Sequence, residues 1–182
     1  MHSLEEKTLK RETIFQGRMI DVYLDEVELP NGKTSTREIV VHPGAVAVLA
    51  ITDEEKIVLV EQFRKPLEKT LIEIPAGKLD AGEEPAVCAR RELEEETGYS
   101  CEELILVNSF YTSPGFSNEI LYFYLAKGLT RTNNRTLDED EFVEVLEVTL
   151  SEAQQLIKEQ KIHDAKTLIA IQYWQLLQEM EK

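Results

Sequence analysis

Four glutamates crowd into five consecutive positions of this chain, Glu92, Glu94, Glu95 and Glu96, inside the stretch Gly77–Tyr99, GKLDAGEEPAVCARRELEEETGY. On a helix, Glu92 and Glu96 lie one turn apart and Glu95 three residues after Glu92, so these three project toward neighbouring parts of one face. Packed carboxylates repel one another unless something positive sits among them. Magnesium is the natural candidate: it prefers oxygen ligands, keeps several waters and completes its shell with phosphate oxygens of a substrate. Arg91 is placed to orient one of the carboxylates, and Glu83, near the start of the helix, can act as an acceptor behind it. An isolated glutamate-rich run is more often a solvated helix face, so the wider spacing has to decide between the two readings.

The elements that must position this stretch can be read from pattern. Pro85 suits the first turn of the helix and Gly98 the position just past its end. Ahead of it lie two apolar runs, Ala45–Thr52 and Lys56–Phe63, divided by Asp53-Glu54-Glu55, which read as buried strands joined by a short turn. Leu71–Pro75 is a further short strand, and Ala76–Glu83 reads as a glycine-containing loop that feeds the helix. Thr13–Glu28 and Thr34–His42 flank the turn signal Pro30-Asn31-Gly32 and predict an N-terminal antiparallel ribbon. After the helix, Leu104–Tyr111 and Ile120–Ala126 read as strands on either side of Ser113-Pro114-Gly115, and Phe142–Val148 as another following the acidic run Asp138–Glu141. Ser151 and Asp164 are expected N-caps of two closing helices. The last of these carries the apolar stripe Leu168, Ile171, Trp174 and Leu177, which reads as core.

Bulk properties bound the function. The 182 residues, 42% of them hydrophobic, suffice for one sizeable core with a small appended subdomain. A net charge of -15, from 35 acidic and 20 basic residues, opposes a nucleic-acid groove. It still allows a small phosphate substrate approached through a metal. Only two cysteines occur, Cys88 and Cys101, and the N-terminal residues lack an apolar signal core. No segment has the length of a membrane span. The expectation is a soluble cytoplasmic protein, with neither nucleic acid nor membrane as partner.

The helical stretch resembles the Nudix box, G-x5-E-x7-R-E-U-x-E-E-x-G-U with U a bulky apolar residue, through Gly77, Glu83, Arg91, Glu92, Leu93, Glu95, Glu96 and Gly98. Seven fixed identities at fixed spacing coincide by chance on the order of once in 10^8 starts. Tyr99 departs from the aliphatic residue usual there. The resemblance implies an α/β fold, the Nudix α/β/α sandwich with a mixed sheet, and hydrolysis of a nucleoside diphosphate linked to another moiety. By the same analogy the metal ligands are the backbone carbonyl of Ala76 and the side chains of Glu92 and Glu96, with Glu95 as an additional ligand. The implied cofactor is magnesium, or manganese in its place, at two to three ions per site.

Segments outside the box resemble the ADP-ribose pyrophosphatase subfamily. Ser113, Pro114 and Gly115 resemble its downstream proline loop, and Asp138-Glu139-Asp140-Glu141 its catalytic loop. Carried over, Glu139 becomes the general base and Glu141 a further metal ligand. Arg64, in VEQFRKP, resembles the arginine that contacts the substrate diphosphate. Residues 1–42 resemble the small β subdomain through which these enzymes form an exchanged homodimer, leaving 43–182 as the hydrolase domain. Arg37 and Glu38 would then reach the partner's substrate, as would Arg18, Met19 and Glu119; Arg18 and Met19 stand where relatives often present aromatic rings. The implied reaction is magnesium-dependent hydrolysis of ADP-ribose to AMP and ribose 5-phosphate. The alternatives are another nucleoside diphosphate sugar or nucleotide as substrate, or a sensor that binds ADP-ribose without turning it over.

Overall fold

In the computed structural model, which describes residues 4–132, 135–136 and 142–180, the most apolar run is also the most buried. Strand β4 (Ala45–Ala50, AVAVLA) is buried at every position, as a strand covered on both faces must be. Successive residues of a strand point to opposite faces, and the two faces of β4 and β9 (Ile120–Arg131) meet different helices. Val46, Val48, Ala50, Tyr124 and Ala126 pack with Cys88, Ala89 and Leu93 of α1 (Pro85–Thr97). Phe123, on the other face, meets Tyr173 of α3 (Ala165–Met180) edge-on, with ring centroids 5.9 Å apart. The sheet is thus sandwiched between helices, and its strand order is β7-β4-β9-β8, where β7 is Ala76–Lys78 and β8 is Tyr99–Tyr111.

A second, three-stranded antiparallel sheet has β5 (Ile57–Arg64) between β10 (Val143–Val148) and β6 (Lys69–Glu73). The chain then enters α2 (Leu150–Lys158) and α3. Asp164 caps α3 as expected: its Oδ2 accepts the Thr167 N–H at 3.1 Å. Within α3, Ile171 and Trp174 of the expected stripe are buried, and Leu168 and Leu177 are half-buried. None of the described helices is long and apolar enough to cross a membrane.

The chain divides into two compact units. One takes the N-terminal residues to Gly44 together with Phe110–Leu121, and the other takes Ala45–Ser109 and the chain from Tyr122 onward. In the first, β1 (Lys7–Gln16), β2 (Asp21–Glu28) and β3 (Thr34–Val41) form a three-stranded antiparallel sheet. All ten positions of β1 are exposed. The buried carboxylate of Asp25 is held by Arg11, through Nε and Nη2 at 2.7 Å each, and by Thr8. Arg11 also lies over the Tyr23 ring, 4.7 Å from its centroid, and holds the Asp25 carboxyl below its ordinary range.

Three local readings need correction. The run Thr13–Glu28 is not one strand: the chain reverses at Gly17, whose N–H donates to the Ile20 carbonyl at 3.0 Å, so the ribbon gains a strand that begins at Lys7. Ala76–Glu83 is not all loop, because Ala76–Lys78 pairs with β4 as β7. The cap of α2 is Thr149 rather than Ser151: Thr149 and Glu152 form a reciprocal capping box, which satisfies two backbone donors, and Ser151 already lies two residues inside.

Candidate active site

Helix α1 starts on Pro85, whose missing N–H costs nothing in the first turn, and stops at Gly98. There φ is 73°, a left-handed conformation that glycine adopts readily, and the N–H returns to the Glu94 carbonyl at 2.8 Å. Its apolar face buries Cys88, Ala89 and Leu93 in the core; full burial of Leu93 alone stabilises by about 1.5–3 kcal/mol. Beside that face stand Glu92 and Glu96, only 8% and 2% exposed. Buried carboxylates must be paired, and both are turned against strand β7. Glu96 Oε2 accepts the Ala76 N–H at 3.0 Å. The Glu92 carboxylate fills the space over Gly77, where a Cβ would fall within 1.8 Å of it. Because β7 is itself zipped to β4 through Val46↔Gly77 and Ala47↔Ala76, both carboxylates are referenced to the centre of the sheet.

Arg91 joins the remaining acids. Its Nε and Nη2 engage both oxygens of Glu83 at 2.9 Å, and its Nη1 donates to Glu92 Oε1 at 2.8 Å and Glu95 Oε2 at 2.9 Å. One guanidinium therefore orients three carboxylates, through the fork geometry that lysine lacks. The bond from Arg91 and the N–H of Asp80 hold the Glu83 carboxyl down at about 2, and the Arg91 pKa is raised in return. Burial pushes the Cys88 thiol up to about 12, so it stays protonated and serves packing rather than nucleophilic attack. The donor set of carboxylate oxygens beside strand β7, with no side chain at Gly77, fits a hard divalent cation. Among the described residues no three His, Cys, Asp or Glu side chains are arranged to hold an ion unaided; magnesium, which retains waters and takes phosphate oxygens, does not require such a set.

Arg64, at the end of β5, belongs to a second charged cluster. Its Nε and Nη2 grip Glu73 at 2.8 and 2.6 Å. Lys166 bonds the same Glu73 carboxylate and also Asp164 at 3.0 Å. Burial pushes the Glu73 carboxyl up, but the two cations together outweigh it and hold it below its ordinary range. Sequence reasoning named Arg64 and missed Glu73 and Lys166. The only signal was an acid ending an otherwise apolar strand, LIEIP, where a charge has to find a partner.

The other expected residues fall in the first unit. Arg18 and Met19 occupy the exposed turn between β1 and β2. Arg37 and Glu38 are neighbours on β3; Arg37 is engaged by Glu6 through Nε at 2.8 Å and Nη2 at 2.5 Å, while Glu38 is exposed. The Ser113 carbonyl accepts the N–H groups of Phe116 and Ser117, closing the turn that presents Pro114 and Gly115. Glu119 accepts from the Thr112 hydroxyl. Glu139 and Glu141, with Asp138, lie outside the described residues. Of the residues flanking them, Arg135 donates to the carbonyls of Glu96, at 2.9 Å, and of Val143.

Comparison with known proteins identifies relatives of the chain. Residues 41–170 match the NUDIX domain, and residues 6–40 match the nucleoside diphosphate sugar hydrolase N-terminal domain. The chain is 64% identical over 173 residues to the methanol dehydrogenase activator of Bacillus methanolicus, covering 94% of each. It is 60% identical over 182 residues to the ADP-ribose pyrophosphatase of Bacillus subtilis (strain 168), covering 100% of this chain and 98% of that one. A crystal structure of an ADP compounds hydrolase superposes with a TM-score of 0.86 over 98% of this chain and 97% of the other; at 22% identity it shows the shared fold. The α/β sandwich expected from sequence is the one observed.

Proposed function

We propose a function from one premise, that the chain belongs to the Nudix family: it hydrolyses the diphosphate of ADP-ribose to AMP and ribose 5-phosphate. The observation that carries this reading is the pair of buried carboxylates, Glu92 and Glu96, seated on Ala76-Gly77, with Glu92 ordered by Arg91 and Glu96 by the Ala76 N–H. The 60% identical ADP-ribose pyrophosphatase, alike over the full chain, supports the choice of substrate. The N-terminal match to a nucleoside diphosphate sugar hydrolase domain supports the substrate class.

Water attacks one phosphorus of the diphosphate. A P–O bond forms, the bond to the bridging oxygen breaks, and the leaving phosphate takes the electron pair. By resemblance to the subfamily, Glu139 takes the proton from the attacking water. Glu92, Glu96 and the Ala76 carbonyl, with Glu95 and Glu141, are the groups that would hold divalent ions; we assign magnesium, replaceable by manganese, at two to three per site. Bound there, the ions supply Lewis acidity and neutralise charge that would repel the attacking oxygen. Arg91 keeps Glu92 and Glu95 from swinging apart, and Glu83 keeps Arg91 in place. Arg64 binds the diphosphate. Arg18, Met19, Arg37, Glu38, Ser113, Pro114, Gly115 and Glu119 line the substrate's other end in an exchanged homodimer. The ten-residue strand β1, exposed throughout, supports a partner surface on the N-terminal unit, since a long bare edge strand invites pairing. Free Cys88 and Cys101 are in keeping with a reducing, cytoplasmic setting.

The test is AMP release from a panel of ADP-ribose, ADP-glucose, NADH and diadenosine compounds, with magnesium and with chelator. A chelator-sensitive preference for ADP-ribose is expected. Turnover of another member would reassign the substrate, and silence with measurable ADP-ribose binding would indicate a sensor. A second reading is favoured by the 64% identical methanol dehydrogenase activator: the chain raises the activity of a dehydrogenase. Adding wild type and Glu92→Gln separately to a methanol dehydrogenase assay tests it. Stimulation by wild type alone would join the two readings, and stimulation by neither would discard the second.

A further inference from the structure

We propose that Glu73 is a positioning residue for this reaction: its buried carboxylate fixes the plane of the Arg64 guanidinium that meets the substrate diphosphate. The proposal rests on the diphosphate-binding role given to Arg64 above.

Glu73 ends β6 and is 1% exposed, among the largest fully buried side chains of the fold. A charge in such a place costs desolvation energy, and an apolar residue of similar volume commonly serves stability equally well or better. The carboxylate therefore calls for a geometric reason. Both of its oxygens are used on one edge of Arg64, Oε1 by Nε and Oε2 by Nη2. Two parallel bonds fix a plane, which one bond cannot do. The opposite edge, with Nη1, faces away from Glu73, and the Arg64 side chain is 38% exposed. A fixed and partly exposed guanidinium edge suits bidentate recognition of two oxygens of a phosphate.

The support behind Glu73 is equally specific. Lys166 bonds its Oε2 and is itself held by Asp164, which caps α3. Ile74, the next residue, donates its N–H to the buried Thr167 hydroxyl at 3.0 Å. Two residues further on, the Ala76 N–H reaches Glu96. The first turn of α3 thus clamps two consecutive residues of the segment that connects Arg64's anchor to the α1 carboxylates. Groups held by such short, fully bonded paths keep their spacing through a reaction.

The experiment is a double-mutant cycle on the whole chain: wild type, Arg64→Ala, Glu73→Gln and the double variant. The first readout is Kd for the non-hydrolysable α,β-methylene analogue of ADP-ribose by calorimetry, and the second is kcat and KM for ADP-ribose. Glu73→Gln should raise Kd and KM about tenfold with kcat within about threefold, and should add nothing further once Arg64 is gone. Equal multiplication of the two effects, or an unchanged Kd in Glu73→Gln, overturns the proposal, as does an unchanged Kd in Arg64→Ala. If Glu73→Gln does not fold, Glu73→Asp takes its place in the cycle; it keeps the charge and draws it back by one methylene, and it should weaken binding only where Arg64 is present. Should wild type bind the analogue without turning over ADP-ribose, the hydrolytic reading has failed and the Kd cycle still decides the role of Glu73. If wild type does not bind the analogue, both are overturned.

Discussion

Gly77→Ala adds a single methyl group and aims it at the centre of the site. Its Cβ would lie 1.8 Å from the Glu92 carboxyl carbon and 1.9 and 2.4 Å from its two oxygens. Non-bonded carbon contacts need about 3.5 Å for optimal separation, so the carboxylate has to retreat by roughly 1 Å or more. Gly77 is not among the glycines with positive φ, so alanine meets no backbone strain there and the penalty is one of overpacking, about 1–3 kcal/mol. For a chain of this length that lowers Tm by about 2–12 °C. The larger effect falls on rate: misplacing a reacting or ligating group by about 1 Å costs on the order of 100-fold, equivalent to about 2.7 kcal/mol of barrier. The assay pairs a melting curve with kcat/KM for ADP-ribose across a magnesium titration. A variant that melts lower but keeps wild-type kcat/KM and magnesium requirement would show that the contact between Glu92 and Gly77 is packing without catalytic meaning.

Three further outcomes follow from the same contacts. Arg91→Lys keeps the charge but cannot serve Glu83, Glu92 and Glu95 together, so thermal stability should fall by about 1.5–3 kcal/mol and half-saturation should need more magnesium; an unchanged Tm and titration would remove Arg91 from its orienting role. Glu83 has its folded pKa lowered from an ordinary 4.5 to about 2 by Arg91, so its contribution is complete above pH 4.5 and lost as pH falls through about 2. Glu83→Gln should therefore be less stable than wild type at pH 7 by about 1.5–3 kcal/mol, with the gap closing as chemical denaturation is repeated from pH 4.5 downward; a gap independent of pH would contradict the assignment. Thr149→Ala breaks the capping box of α2 and should cost about 1 kcal/mol, read as a lower Tm, with kcat for ADP-ribose unaltered; Ser151→Ala should do less.

How far the site could be read in advance depended on the range of the interactions that build it. The α1 face, Pro85, Gly98 and the contacts of Arg91 with Glu92 and Glu95 lie within about one turn, and Glu83 stands eight residues from Arg91, so spacing exposes them. The seating of Glu92 on Gly77 and of Glu96 on the Ala76 N–H joins positions well separated in the chain; the motif brought these residues to notice, and only the β7 pairing explains why the glycine must lack a side chain. Glu73 and Lys166 are 93 residues apart, and no local pattern announces that pairing. At Gly17 no second turn-forming residue accompanies the glycine, so pattern alone does not separate the two strands that meet there. The Thr149 cap shows only together with Glu152, which completes the box with the threonine and not with the serine. The grouping of Phe110–Leu121 with the N-terminal strands depends on long-range contacts such as Val40 with Ser117, which residue order alone conceals.

The measurement that bears most directly on the account is turnover of ADP-ribose by wild type and by Glu92→Gln at saturating magnesium, with AMP and ribose 5-phosphate both quantified. The account predicts the two products in equal amounts from wild type and a loss of at least about 100-fold in kcat for the variant. Near-native turnover by Glu92→Gln, or products other than these two, would contradict it.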